Sequence, residues 1–307
     1  MAYGYNDPLR SKHRRDAIPV RPAPVRDSNH ALAIAGYFSQ CPSDVKRLYV
    51  DLLRALRPRG ACKVNGAIHQ VSRKGQQGGV VERSTRTVRA WLDVFPELAS
   101  DVGIDTLFAT APGLWGLSVE TRPGTNYGLD HPISTTLNFQ RDWFDRWCEE
   151  PAALPTIERA IEAFALDKSC FQAIICCDYY QRIYFTSFYS EFLAEPLCWS
   201  DYVDYVEWRE LGKQREQRLQ SVEWGNYLGP ALAAKLPKDF ERRYLTFETP
   251  EYGVGSQIVR RYPGGGLFIT VSNDPFEILE EHPEYMDTPM VRNAIWLRRE
   301  YRKAGIF

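Results

Sequence analysis

The sequence has almost no net charge: 38 Lys and Arg stand against 39 Asp and Glu in 307 residues, a formal charge of -1. That balance excludes a general nucleic-acid binder working through a basic surface. It also has no apolar run approaching the roughly 20 residues that span a bilayer. The opening MAYGYNDPLRSKHRRD carries no apolar core of the signal-peptide kind, so the expectation is a cytoplasmic protein that does not engage membranes. Paired cysteine spacing is missing too. The seven cysteines (Cys41, Cys62, Cys148, Cys170, Cys176, Cys177 and Cys198) include no CxxC pair, and the five histidines (His13, His30, His69, His131 and His282) lie singly. A disulfide framework and a recognisable zinc ligand set are thereby excluded, and buried, reduced thiols are expected. Cys176 and Cys177 fall on opposite faces if their segment is a strand. There is no internal repeat, no GxSxG elbow, no HExxH, no kinase set and no EF-hand loop, which removes the common catalytic signatures. No cofactor is expected.

What is present is the balance of an ordinary folded chain, 44% hydrophobic, 13% aromatic and 25% charged. At this length roughly 75% of the unfolded surface can be buried, so a large core needs no covalent staples. Residues 1–28 hold four prolines and six Lys or Arg against three Asp, with almost no aliphatic run; they read as an arm, loose or lying on the surface. Residues 29–307 read as an α+β domain, either one body or two intimate lobes meeting near 166–170.

Ala31 to Tyr37 is a candidate buried strand. After Ser43, the positions Val45, Leu48, Tyr49, Leu52, Leu53 and Leu56 follow the i, i+3, i+4, i+7 spacing of an amphipathic helix, stopped by Pro58. A second helix is expected over Ser84 to Phe95, between the GQQGG loop at 75–79 and Pro96. The period then changes from 3.6 to 2. Leu117 and Val119 alternate with Ser118 and Glu120, and Ile133, Thr135, Leu137 and Phe139 alternate with Ser134, Thr136 and Asn138, as strands with one wet face do. A helix over about Leu154 to Leu166, strands over 170–177 and 180–188, and a helical stretch over about Ser200 to Leu219 follow. Strands are then expected at Arg242 to Phe247, Gln257 to Arg261 and Leu267 to Val271, with a PGGG turn at 263–266 and a terminal helix from Thr288 and Pro289. Strands and helices arrive in clusters without strict alternation, which favours α+β, mostly antiparallel sheet packed against helices, over a doubly wound fold.

The search for chemistry yields little. The glycines at 264–266 lead into a strand, and the GQQGG loop lacks a Lys-Ser or Lys-Thr pair, so both read as turns and not as phosphate cradles. Asp130 and His131 pair a carboxylate with an imidazole, but adjacent residues rarely converge on one substrate atom, and Pro132 signals a turn. Glu149 and Glu150 read as a solvated helix end.

Two acidic tracts stand out against the neutral whole. In SDYVDYVEWRE, Asp201, Asp204 and Glu207 recur every third residue beside Tyr202, Tyr205 and Trp208, so a helix would show neighbouring acidic and aromatic stripes. In DPFEILEEHPEYMD, six acids (Asp274, Glu277, Glu280, Glu281, Glu284 and Asp287) occur in fourteen residues without a Lys or Arg. The plain reading is a core aromatic face and two solvated acidic faces. The functional reading is a surface that attracts a basic partner by electrostatic steering, with Tyr205 and Trp208 as anchors and Asp201, Asp204, Glu207, Glu277, Glu280, Glu281, Glu284 and Asp287 as its charges.

At 224–230 the sequence reads WGNYLGP, after Glu223 and before the apolar run ALAAKL. This resembles an element of bacterial immunity proteins from polymorphic toxin and type VI secretion systems. The layout that follows is similar as well: a strand pair, the PGGG turn, the LFITVS strand and a basic terminal helix. Over its whole length the chain most resembles the immunity protein 52 family. The resemblance implies a protein without chemistry of its own, which binds and silences a cognate nuclease toxin of restriction-endonuclease fold by blocking its active site or disturbing its assembly. Within the element, Trp224, Tyr227 and Leu228 at i, i+3 and i+4 suggest one apolar face, with Gly225 and Gly229 permitting close approach or a turn; the element is expected to build the fold. The competing readings are a hydrolase or transferase without a known motif, marked by a pocket of convergent acids and histidines, and an intracellular scaffold, marked by a broad apolar patch.

Overall fold

The computed structural model describes residues 31–70, 78–99, 103–122, 125–126, 129–130, 133–140, 143–178, 208, 211–247, 257–275 and 289–307. The candidate arm at 1–28 and the candidate strand at 180–188 lie outside them, as does half of the helical stretch expected over about Ser200 to Leu219; within its described part Gly212–Gln217 form a 3-10 helix.

The strands are β1 (Ala31–Phe38), β2 (Val64–Gln70), β3 (Val80–Thr85), β4 (Ile104–Ala111), β5 (Trp115–Glu120), the short β6 (Thr125–Asn126) and β7 (Leu129–Asp130), β8 (Ile133–Gln140), β9 (Cys170–Asp178), β10 (Gly225–Leu228), β11 (Val259–Arg261) and β12 (Leu267–Thr270). The helices are α1 (Val45–Ala55), α2 (Val88–Leu98), α3 (Ala153–Ala165), α4 (Pro230–Ala233), α5 (Phe240–Leu245) and α6 (Pro289–Lys303). Ten strands form one sheet in the order β11-β12-β10-β9-β1-β8-β5-β4-β2-β3, and every neighbouring pair is antiparallel. The fold is α+β. β1 is the seam, paired to β8 on one side and to β9 on the other, so strands from both halves of the chain share one hydrogen-bonded layer.

Local chemistry sets the helix starts. Asp44 accepts from the Arg47 amide at 2.8 Å to cap α1, and Thr87 accepts from the Ala90 amide at 3.0 Å to cap α2; such caps satisfy donors the helix itself cannot. The cap at Thr87 corrects the helix expected over Ser84 to Phe95. Residues up to Thr85 pair with β2 instead, and Pro96 sits inside the last turn of α2.

α1, α2 and α3 press Leu48, Tyr49, Leu52, Leu53, Trp91, Phe95, Ile157, Ile161 and Phe164 into a core shared with Leu32, Ile34, Val64, Ile68, Leu107, Leu117, Val119 and Leu137 of the strands. The contact is close enough to dictate sequence: a Cβ at Gly66 would overlap the Trp91 ring. The Tyr49 hydroxyl accepts from Trp91 Nε1 at 3.0 Å and donates to the Phe108 carbonyl at 2.6 Å, tying both helices to β4.

Three further expectations are corrected. Arg242 to Phe247 is not a strand; Phe240 and Tyr244, one helical turn apart in α5, face α6, where Trp296 lies 5.5 and 5.1 Å from their rings. β8 does not keep one wet face, because it is a central strand, and Ser134, Thr135 and Thr136 are all buried. Among the described cysteines Cys62, Cys148 and Cys170 are buried free thiols, but Cys41 is exposed.

Candidate interaction surface

Most of the residues singled out above as a partner surface lie outside the described residues: Asp201, Asp204, Tyr205 and Glu207 of the first tract, and Glu277, Glu280, Glu281, Glu284 and Asp287 of the second. Trp208 is described and is only 2% exposed. Its ring packs edge-on to Tyr37 at 5.3 Å and tilts against Phe171 at 6.4 Å, while its Nε1 donates to the carbonyls of Arg218 at 2.8 Å and Arg215 at 3.2 Å. The indole expected as a partner anchor is thus committed to a small second core with Ala35, Tyr37, Phe171 and Ile174.

The element at 224–230 forms no helical face. Gly225–Leu228 is a strand between β9 and β12, so Trp224 and Leu228 share one side of the sheet and Tyr227 takes the other. Trp224 Nε1 donates to Ser272 Oγ at 3.0 Å, and Asn226 bridges back to the amide and carbonyl of Glu223. Gly229 lies where a Cβ would stand 2.7 Å from the Phe171 carbonyl, a distance no side chain tolerates against backbone. Trp224 to Gly229 are all buried, and Pro230 is exposed.

The remaining candidates separate. Asp130 ends the two-residue β7, and His131 lies outside the described residues. Glu150 is an ion-pair member: Arg159 bonds it at 2.7 Å and Arg57 at 3.2 Å, and these partners, Arg159 first, hold its carboxyl below the usual range. Among the described residues no group of three His, Cys, Asp or Glu is placed to hold a metal ion. No helix among them is long and apolar enough to cross a membrane.

What the sheet does present is an open face. Alternation sends Val64, Gly66 and Ile68 of β2 under the helices and turns Asn65, Ala67 and His69 the other way. β4 does the same, burying Leu107, Ala109 and Ala111 and turning out Thr106, Phe108 and Thr110; β5 turns out Gly116, Ser118 and Glu120. The register aligns these into rows. Glu82, Ala67, Phe108, Ser118 and Thr136 form one, and Val80, His69, Thr106 and Glu120 the next.

The small neighbours Ala67 and Ser118 leave the Phe108 ring standing proud, 38% exposed, with the His69 ring edge-on at 5.1 Å. Val80 beside them is 53% exposed. Glu120 is partly buried, and Ser134 Oγ donates to its Oε2 at 3.2 Å. Burial pushes its carboxyl pKa up; the Ser134 bond opposes this and the nearby Asp105 adds to it. Asp105 itself pairs with Arg122 at 3.4 Å. One exposed aromatic is unremarkable on any protein. An aromatic platform beside a desolvated carboxylate, on an uncovered sheet face, is a surface with defined recognition chemistry.

None of these open-face residues was singled out from sequence as a site. The readable signal was the pair Leu107-Phe108: two large apolar side chains in succession on a period-2 strand force one of them outward.

No protein-family model, no curated protein and no solved structure matches this chain. Function is therefore argued from the residues themselves.

Proposed function

We propose that this chain is an immunity protein that binds and silences a cognate antibacterial nuclease toxin, an effector of restriction-endonuclease fold delivered by type VI secretion, inside the cytoplasm of the cell that makes both. The observation that carries the reading is the WGNYLGP element at 224–230 with the turn, strand and basic helix that follow it. Gly225–Leu228 of this element form β10, paired to β9 and β12, so the element serves the fold and the contact surface is sought elsewhere.

The mechanism is stoichiometric. A nuclease must hold a polyanion, so its substrate groove is basic, and a partner that offers carboxylates and aromatic rings competes for that groove without chemistry of its own. The open face over β2, β4 and β5 and the acidic tracts both have that character. An interface of roughly 1,600 Å² in total would suffice for specific binding.

The test is a calorimetric titration of the purified protein with the product of the adjacent gene, catalytically disabled so that it can be expressed. A dissociation constant near nanomolar, about -12 kcal/mol, is expected. Absence of heat at micromolar concentrations, confirmed by a second binding method, would overturn the reading for that pair.

A further inference from the structure

Among the described residues the open face carries more negative than positive charge. Glu82 and Glu120 project onto it from β3 and β5, Asp105 borders it, and the nearby Arg122 is paired to Asp105. Among the described residues no Lys or Arg pairs with Glu120. This excludes nucleic acid as the occupant, since phosphates would be repelled, and selects a cationic one. Among the described residues this surface is a sheet face and not a cleft, which suits a protein segment better than a small molecule.

We propose that this face receives an arginine side chain of a basic protein partner, its guanidinium laid on the Phe108 ring and its N–H groups paired with the Glu120 carboxylate. The Ser134 bond draws the carboxylate toward β8, on the side of β5 away from Phe108, so one guanidinium has to span β5 to meet both groups. Phe108 pairs with Ser118, and Glu120 is the next outward residue on the same strand, so ring and carboxylate are diagonal neighbours about 7–8 Å apart at their bases, within reach of long side chains. Arginine fits better than lysine because its planar fork can stack and bond bidentately, whereas an ammonium is a compact, strongly hydrated point charge. Burial has already removed part of the water from Glu120 during folding, so less desolvation remains to oppose the contact. Ser134 holds the carboxylate in place.

This deepens the immunity reading by naming where the toxin would dock, and rests on that reading only for the partner's identity. Two arms separate the failures. In the first, the 15N-labelled full chain is titrated with the peptide acetyl-Gly-Arg-Gly-Arg-Gly-amide, with the lysine analogue as control. Amide shifts are expected at residues 67–69, 106–108 and 118–120. Affinity for the lysine peptide should be several-fold weaker, and Glu120→Gln and Phe108→Ala should each weaken arginine-peptide binding about tenfold, a loss of about 1.4 kcal/mol.

Leu245→Ala, at an exposed apolar residue on α5, should change nothing. Shifts confined to other segments, equal binding by Glu120→Gln, or equal binding of both peptides would overturn the proposal. In the second arm the same variants meet the adjacent gene product. Peptide binding without toxin binding refutes the immunity reading and keeps the arginine site; toxin binding that both variants retain unchanged removes the site and keeps the reading.

Discussion

Two buried or half-buried carboxylates show how differently the two ends of this molecule are built. Glu300 on α6 is 4% exposed, yet Arg243 bonds it at 2.9 Å and Lys303 at 2.7 Å. Burial alone would raise its pKa, but the Lys303 hydrogen bond and the charges of Arg243 and Lys303 outweigh that and hold it below the usual range. Glu120 on β5 has a serine hydroxyl where Glu300 has two cations, and burial leaves its pKa raised. The first acid fastens the C-terminal helix to α5. The second costs stability once it is ionised. The same contrast runs through the sheet: side chains toward α1, α2 and α3 are tightly packed, while those on the other face of β2, β4 and β5 are partly to largely exposed.

The comparison is broken most severely by cutting the packed side. Trp91→Ala should destabilise by about 3–5 kcal/mol, because it empties the space over Gly66 and leaves Tyr49 without its Nε1 donor; urea unfolding measures this. Arg243→Ala leaves the buried Glu300 with Lys303 alone and removes a guanidinium 5.6 Å from the Trp296 ring. A loss of about 2–3 kcal/mol is expected at pH 7. The sign with pH follows from the depressed folded value: Glu300 stabilises above the ordinary carboxylate pKa, and this is lost as pH falls through its lower folded value. The variant and the parent should therefore converge in acid.

On the open face the expected effects on folding are small. Phe108→Ala should move stability by no more than about 0.5 kcal/mol, since the ring's described contact is His69 and the anchoring bond from Tyr49 goes to the Phe108 backbone. A thermal melt shifted as far as that of a core variant would show the ring to be structural. Glu120→Gln should slightly stabilise the fold at pH 7. Its raised pKa means a penalty that is absent below the ordinary carboxylate value, grows as pH rises through the folded value and is complete above it. Urea midpoints at pH 3 and pH 7 should show the gain only at the higher pH.

Much of the closed region was legible in sequence because it is locally encoded. The 3.6-residue spacing of Leu48, Tyr49, Leu52 and Leu53 marked α1, and alternation marked β5. The open region was not, for reasons that lie in distant contacts. β2 reads as VNGAIHQ, with a glycine at a buried position that only the Trp91 ring explains, and on its inner face β4 follows Leu107 with Ala109 and Ala111, too small to announce a strand. α5 was mistaken for a strand because Tyr244 and Phe247 sit among polar residues; its partner Trp296 lies on a helix far along the chain. At 224–228 the spacing fitted a helix, but pairing on both sides fixed it as a strand. Glu120 looked like any outward acid, since its bond to Ser134 of β8 comes from a distant part of the chain.

The account stands on the separation of folding from recognition, and one titration tests it most directly. The double variant Phe108→Ala, Glu120→Gln, checked to melt with the parent, is titrated calorimetrically into the disabled product of the adjacent gene. The account predicts that affinity falls by more than tenfold and by no more than about 100-fold, the product of two tenfold losses, because both side chains hold the same arginine and their effects couple. Parent-like affinity would contradict it, and would place recognition elsewhere on the molecule.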